Sequence, residues 1–162
     1  MMVWRPADGN ETSAAYYMAL TSHSTPSILA LTRQNLPHLE GSTIGEAIKG
    51  GYVALEDKDA KITFVSTGSE VSLCLEAVKH LKDNNQIAAR VVSLPCWSVF
   101  DAQPKEYRMS VIKEGIPSMS VEVMSTMGWE KYSHEQFGLN RFGASGKLLI
   151  QDPKKLNVVL EN

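Results

Sequence analysis

Four residues, Thr67-Gly68-Ser69-Glu70, stand between the apolar run Ile62 to Ser66 and an amphipathic stretch that begins at Val71. Strand, Gly-containing turn and helix in that order make the layout with which many proteins hold a phosphate. The turn has neither the G-x-x-x-x-G-K spacing of a phosphate loop nor the G-x-G-x-x-G spacing of a dinucleotide turn. Thr67 and Glu70 instead have the spacing of a capping box, in which each side chain satisfies a free backbone N–H at the helix start while Gly68 eases the turn. A capping carboxylate also takes the place an anion would occupy, so the expectation here is a structural turn.

Arg33 follows the apolar run Ser27 to Thr32. Ligands of open parallel sheets bind at the carboxyl ends of strands, and an arginine there can grip a phosphate or carboxylate through two parallel hydrogen bonds. On position alone a surface ion pair is the simpler expectation, although Gln34, Asn35 and His38 add polar groups to the same loop. Gly143-Ala144-Ser145-Gly146-Lys147 has the end of a phosphate loop without its full spacing. Glu130 and His134 would lie one helical turn apart, which suits a metal pair only if a third ligand exists, and a solvated helix face explains them as well. Cys74 and Cys96 fit no zinc pattern and read as reduced thiols in or near a core. Trp97, Phe100, Trp129 and Phe137 read as packing or interface residues.

The elements that must position these residues alternate between strand and helix. Residues 1 to 11 read as a loop, and Ser13 to Leu20 as a helix starting after Asn10 or Thr12. Ser27 to Thr32 is nearly all apolar, the pattern of a strand buried on both faces under helices, and Arg33 to Thr43 reads as a long connection. The pattern restarts at Gly50-Gly51, with strands at Tyr52 to Leu55 and Ile62 to Ser66, a helix over 70 to 83 and a strand at Ala89 to Leu94. Val71, Cys74, Leu75, Val78 and Leu81 make one apolar stripe on that helix. Pro95 to Gln103 reads as a loop, Pro104 to Ser110 as a short helix, Ser118 to Val123 as a strand and Met124 to Phe137 as a helix. Such alternation predicts an α/β fold on a mostly parallel sheet.

The 162 residues suffice for one domain, or for one domain and part of another. With 43% hydrophobic and 21% charged residues the chain has a globular composition, and its net charge of −2 argues against a nucleic-acid footprint. No apolar run approaches the roughly 20 residues that cross a bilayer, so no membrane partner is expected. The start MMVWRPADGNE lacks the regions of a signal peptide, which makes a cytoplasmic protein the expectation.

Seven segments go further: WRPADGNE (4 to 11), LTRQNLPHLEGS (31 to 42), KGGYV (49 to 53), TGSEVSL (67 to 73), ARVVSLP (89 to 95), MSVEV (119 to 123) and FGLNRFGASGK (137 to 147). In this order and at these distances they resemble the C-terminal part of fungal-type transketolases and the related dihydroxyacetone synthases. The resemblance implies that residues 1 to 45 end a pyrimidine-binding domain and that 46 to 162 form a three-layer α/β/α transketolase C-terminal domain, altered after about 147. It implies a homodimeric parent that moves a two-carbon ketol unit from a ketose phosphate to an aldose, using thiamine diphosphate and a divalent metal, Mg2+ or Ca2+. It also implies that Arg33, in the RQNLP motif, contacts the phosphate of a sugar phosphate. The family's Gly-Asp-Gly diphosphate motif and active-site histidines have no counterpart in this chain, and LLIQDPKKLNVVLEN departs from the family's continuation, so both ends look cut or altered. Inactivity of the chain alone is therefore the expectation, with a free-standing dimerisation or regulatory domain as the alternative. A dihydroxyacetone synthase, with formaldehyde as acceptor and a peroxisomal home, is the alternative within the family.

Overall fold

The structure, a computed structural model, describes residues 1–141. In chain order the elements are β1 (Met2–Trp4), α1 (Gly9–Thr21), β2 (Ser27–Leu29), α2 (Ile44–Ala47), β3 (Tyr52–Leu55), β4 (Ile62–Ser66) and α3 (Glu70–Asn85). They continue with β5 (Ala89–Ser93), α4 (Trp97–Asp101), α5 (Lys105–Val111), β6 (Ser118–Val121) and β7 (Glu135–Phe137). β1 and β2 pair in parallel as a small sheet, while β3-β5-β4-β6-β7 form the large one. All pairs in the large sheet are parallel except β3 with β5.

Alternation along the central strands builds the layers, because successive side chains point to opposite faces. Phe64 and Val91 pack on one face with Val71, Cys74, Val78 and Leu81 of α3, the stripe read from the sequence. Val65 and Val92 pack on the other face with Phe100, Val111, Trp129 and Tyr132. The result is the expected three-layer α/β/α arrangement with a mostly parallel sheet. Ala7, Ala14, Leu39 and Ala47 belong to the same core as Tyr52 and Phe64, so the first 47 residues pack onto the sheet. β1 is held between helices, Trp4 sharing a cluster with Ala15 of α1 and with Cys96 at the start of α4. Both cysteines are buried and free, as expected.

Several elements differ from the sequence reading. Residues 2–4, expected in a loop, form β1, since Trp4 is fully buried and its carbonyl accepts from the Ala30 N–H. α1 starts earlier than expected because Asp8 caps it, its Oδ1 accepting from the Glu11 N–H at 2.9 Å. The strand expected to be buried on both faces is only three residues long, and Ile28 and Leu31 are about half exposed, 49% and 48%. Its apolar sequence reflects faces that nothing in the described chain covers. Pro95 to Gln103 contains α4. Met124 to Phe137 is not a helix: Gly128 takes φ +92, a single 3-10 turn follows at Trp129–Lys131, and β7 ends the stretch. Trp129 drives that outcome, since its ring is buried edge-on against Trp97, with centroids 4.7 Å apart.

Candidate functional site

Arg33 lies in the irregular stretch between β2 and α2 and is solvent-exposed. No carboxylate pairs with it among the described residues, so the surface ion pair that would account for it is not formed. The loop is anchored at its far end. Asp8 Oδ2 accepts from the Leu39 N–H at 3.1 Å and from the Ser42 hydroxyl, and it pairs with His38 Nδ1 at 3.3 Å. Asn10 Nδ2 adds a hydrogen bond to the Ser42 carbonyl at 3.0 Å. Near Arg33 the Gln34 N–H donates to Thr32 Oγ1 at 3.2 Å. The neighbouring residues Thr32, Gln34 and Asn35 line an open groove of about 510 Å³ whose far wall includes Asp8 and Thr12. Thus Arg33, Gln34 and Asn35 share one exposed loop held from behind, while His38 is turned to Asp8 and serves the anchor.

The Thr67 to Glu70 turn is not a capping box. The residue before α3 is Ser69, and no side chain caps the helix. Thr67 N and Oγ1 both donate to Glu122 Oε1, each at 2.7 Å, and Thr67 Oγ1 accepts from Arg5 Nε at 2.9 Å. Glu70 Oε2 accepts from Arg5 Nη2 at 2.9 Å, and the same nitrogen lies 3.4 Å from Glu122 Oε2. Arg5 therefore holds the Glu70 carboxylate and Glu122 holds Thr67, so neither member of the expected capping box reaches the helix amides. Glu122 is 3% exposed, and burial pushes its carboxyl up to about 7, against the downward pull of Thr67 and Arg5.

A second buried acid joins the N-terminal segment to the large sheet. Glu11, fully buried, accepts hydrogen bonds from the Ala7 N–H at 2.6 Å, the Tyr52 hydroxyl at 2.8 Å and the Ser93 hydroxyl at 2.6 Å. Burial raises its carboxyl to about 7 in spite of these donors, and pushes Tyr52 well above the usual phenol range. Glu130 and His134 do not share a helix face: Glu130 accepts from the Gly128 N–H, whereas His134 Nδ1 faces the Ser118 hydroxyl at 2.8 Å. No group of three His, Cys, Asp or Glu side chains among the described residues is placed to hold a metal ion, so the donor set for a divalent metal is not built from them. Gly143 to Lys147 lies outside the described residues.

The comparisons agree with this architecture. Residues 50–150 match the family model of the transketolase-like TK C-terminal domain. The chain belongs to that family. The probable transketolase of Schizosaccharomyces pombe is 69% identical over 143 residues, 88% of this chain and 21% of its own length. The transketolase of Scheffersomyces stipitis is 63% identical over 145 residues, 90% of this chain and 21% of its own. The chain thus spans about a fifth of the length of these transketolases. A transketolase structure from Pichia stipitis in complex with sedoheptulose 7-phosphate superposes with a TM-score of 0.88 at 63% identity, over 90% of this chain and 21% of that one. A split-gene transketolase described as an inactive β4 tetramer superposes with a TM-score of 0.68 at 26% identity, covering 87% of this chain and 49% of that one.

Residue-level reading of the sequence missed Arg5, Asp8, Glu11 and Glu122. Two signals were present. Asp8 and Glu11 have the Asp-x-x-Glu spacing of a helix start, two residues ahead of the start chosen from Asn10. Glu122 is the one charge inside the apolar run Met119 to Val123, the mark of an acid that needs a buried partner.

Proposed function

We propose that this chain is the C-terminal part of a thiamine diphosphate-dependent transketolase that transfers a two-carbon ketol unit from a ketose phosphate to an aldose. The observation that supports this most directly is the 63% identity and 0.88 TM-score to a transketolase holding a sugar phosphate. Residues 1–45 would complete a pyrimidine-binding domain and 46–162 would form the C-terminal domain of a cytoplasmic homodimer. Carbanion chemistry belongs to the thiamine cofactor when it is bound. The thiamine diphosphate and its Mg2+ or Ca2+ would be held by other parts of the parent, as the family resemblance implies.

The role of this chain's residues is to bind the phosphate. Arg33 presents a guanidinium with no carboxylate partner among the described residues beside a polar groove, on a loop fastened by Asp8 and Asn10, which suits a doubly charged phosphate held through two N–H donors. The half-exposed Ile28 and Leu31 suit a surface covered by the rest of the pyrimidine-binding domain. A split-gene transketolase described as an inactive β4 tetramer supports inactivity of this chain alone.

Two preparations test the proposal. The purified chain, given thiamine diphosphate, Mg2+, xylulose 5-phosphate and an aldose phosphate, should show no ketol transfer. A chimera in which this chain replaces the matching segment of the Scheffersomyces stipitis transketolase should transfer steadily. Transfer by the chain alone, or a folded chimera that binds thiamine diphosphate and stays inactive, would overturn it.

A further inference from the structure

The large sheet has a topological switch point. From β4 the chain crosses through α3 to β5 on one side, then returns past β4 to β6 on the other. The carboxyl ends of β4 and β6 flank the gap, and open α/β sheets bind their ligands in that crevice. Thr67 follows β4, Glu122 follows β6 and Glu70 opens α3, so the residues that line the crevice are two buried carboxylates and a hydroxyl.

We infer that this crevice is a guanidinium socket and that Arg5 is its built-in occupant. Each edge of the Arg5 guanidinium has a partner. Nε donates to Thr67 Oγ1 at 2.9 Å, Nη2 donates to Glu70 Oε2 at 2.9 Å and faces Glu122 Oε2 at 3.4 Å, and Nη1 rests on the thioether sulfur of Met124. The backbone clamps the same residue, the Arg5 N–H donating to Pro95 O at 2.8 Å and the Gly68 N–H donating to Arg5 O at 2.9 Å. Gly68 makes room for it: at φ +57 a Cβ there would sit 3.3 Å from Arg5 Nη2. Two carboxylates face one cation, so the walls select positive charge and exclude the anion that a helix N-terminus would otherwise attract. The planar fork of a guanidinium matches these acceptors where the point charge of an ammonium does not.

Arg5 lies just past β1, which is paired with β2, so the socket ties the strands that lead into the Arg33 loop to the carboxyl edge of the large sheet. The socket does not depend on the role assigned to Arg33.

Arg5→Ala in the full chain vacates the socket, and methylguanidinium is the probe, with tetramethylammonium at equal ionic strength as control. Methylguanidinium is expected to raise the Tm of Arg5→Ala saturably and to leave that of the parent chain unchanged. Adding Glu70→Gln and Glu122→Gln to Arg5→Ala should abolish the rise. Absence of a saturable rise, or an equal rise in the parent chain, would overturn the inference. Where Arg5→Ala does not fold unaided, it is refolded with each salt: recovery with methylguanidinium only supports the socket, and recovery with neither or with both contradicts it.

Discussion

Replacing Glu11 by Gln should flatten the pH dependence of stability between about pH 4.5 and pH 7. The Glu11 carboxyl rises from 4.5 to about 7 on folding, with burial as the main cause and no cation against it. Between those values the native state holds a proton that the unfolded chain has released, so stability falls as pH rises through the window and levels off above it. At about 1.4 kcal/mol per pKa unit, a rise of about 2.5 units corresponds to a loss on the order of 3 kcal/mol across the window. Gln keeps an acceptor for Tyr52 and Ser93 but turns an N–H toward the Ala7 N–H, a fixed cost of about 1 kcal/mol that does not vary with pH. Urea unfolding of both proteins at half-unit pH steps gives the difference in stability. That difference should shift in favour of the variant by up to about 3 kcal/mol from pH 4.5 to 7.5. Parallel profiles would show that Glu11 is ionised throughout and that burial is not its dominant influence.

Further predictions follow from single contacts. Glu122→Gln should remove a second part of the same pH slope, since Glu122 also rises to about 7, and unfolding profiles of the single and double variants will show whether the two parts add. Glu56→Ala removes the carboxylate that pairs with the fully buried Arg90 guanidinium at 3.1 Å and leaves it the Val111 carbonyl at 2.7 Å; a loss of about 1–3 kcal/mol by urea unfolding is expected. Gly50→Ala should destabilise far more than Gly115→Ala. Both have φ near +80, worth about 1–2 kcal/mol, but a Cβ at Gly50 would lie 2.5 Å from Cys96 O and Phe100 N, and one at Gly115 meets nothing within 4 Å. Cys74, buried and pushed up to about 12, should resist thiol-reactive dye until the chain unfolds.

Much of the large sheet was legible because its signals are local. The period of Val71, Cys74, Val78 and Leu81 specified α3 and its buried face, and the apolar runs at Ile62 and Ala89 marked the two central strands. The stretch around Trp129 was illegible because its conformation follows from long-range packing on Trp97 and from Gly128 at positive φ, neither of which periodicity reports. The capping box failed for the same reason: Arg5 lies 62 residues from Thr67 in sequence, and its pull on Glu70 and Glu122 exists only once the sheet is formed. β2 was misjudged in the other direction, since an apolar sequence reports what a strand can bury and not whether the described residues cover it. At the candidate site the Arg33 motif was visible, whereas the anchor through Asp8 required the folded path from β1 to α2.

The central claim is that Arg33 binds the phosphate of the substrate in a transketolase parent. Its most direct test is Arg33→Ala in the active chimera, with Michaelis constants measured for xylulose 5-phosphate and for xylulose. Loss of a charge-assisted hydrogen bond worth about 1.5–3 kcal/mol should raise the constant for the phosphorylated donor roughly 10- to 150-fold and leave that for xylulose unchanged. Constants that both stay the same, or that rise equally, would contradict the account.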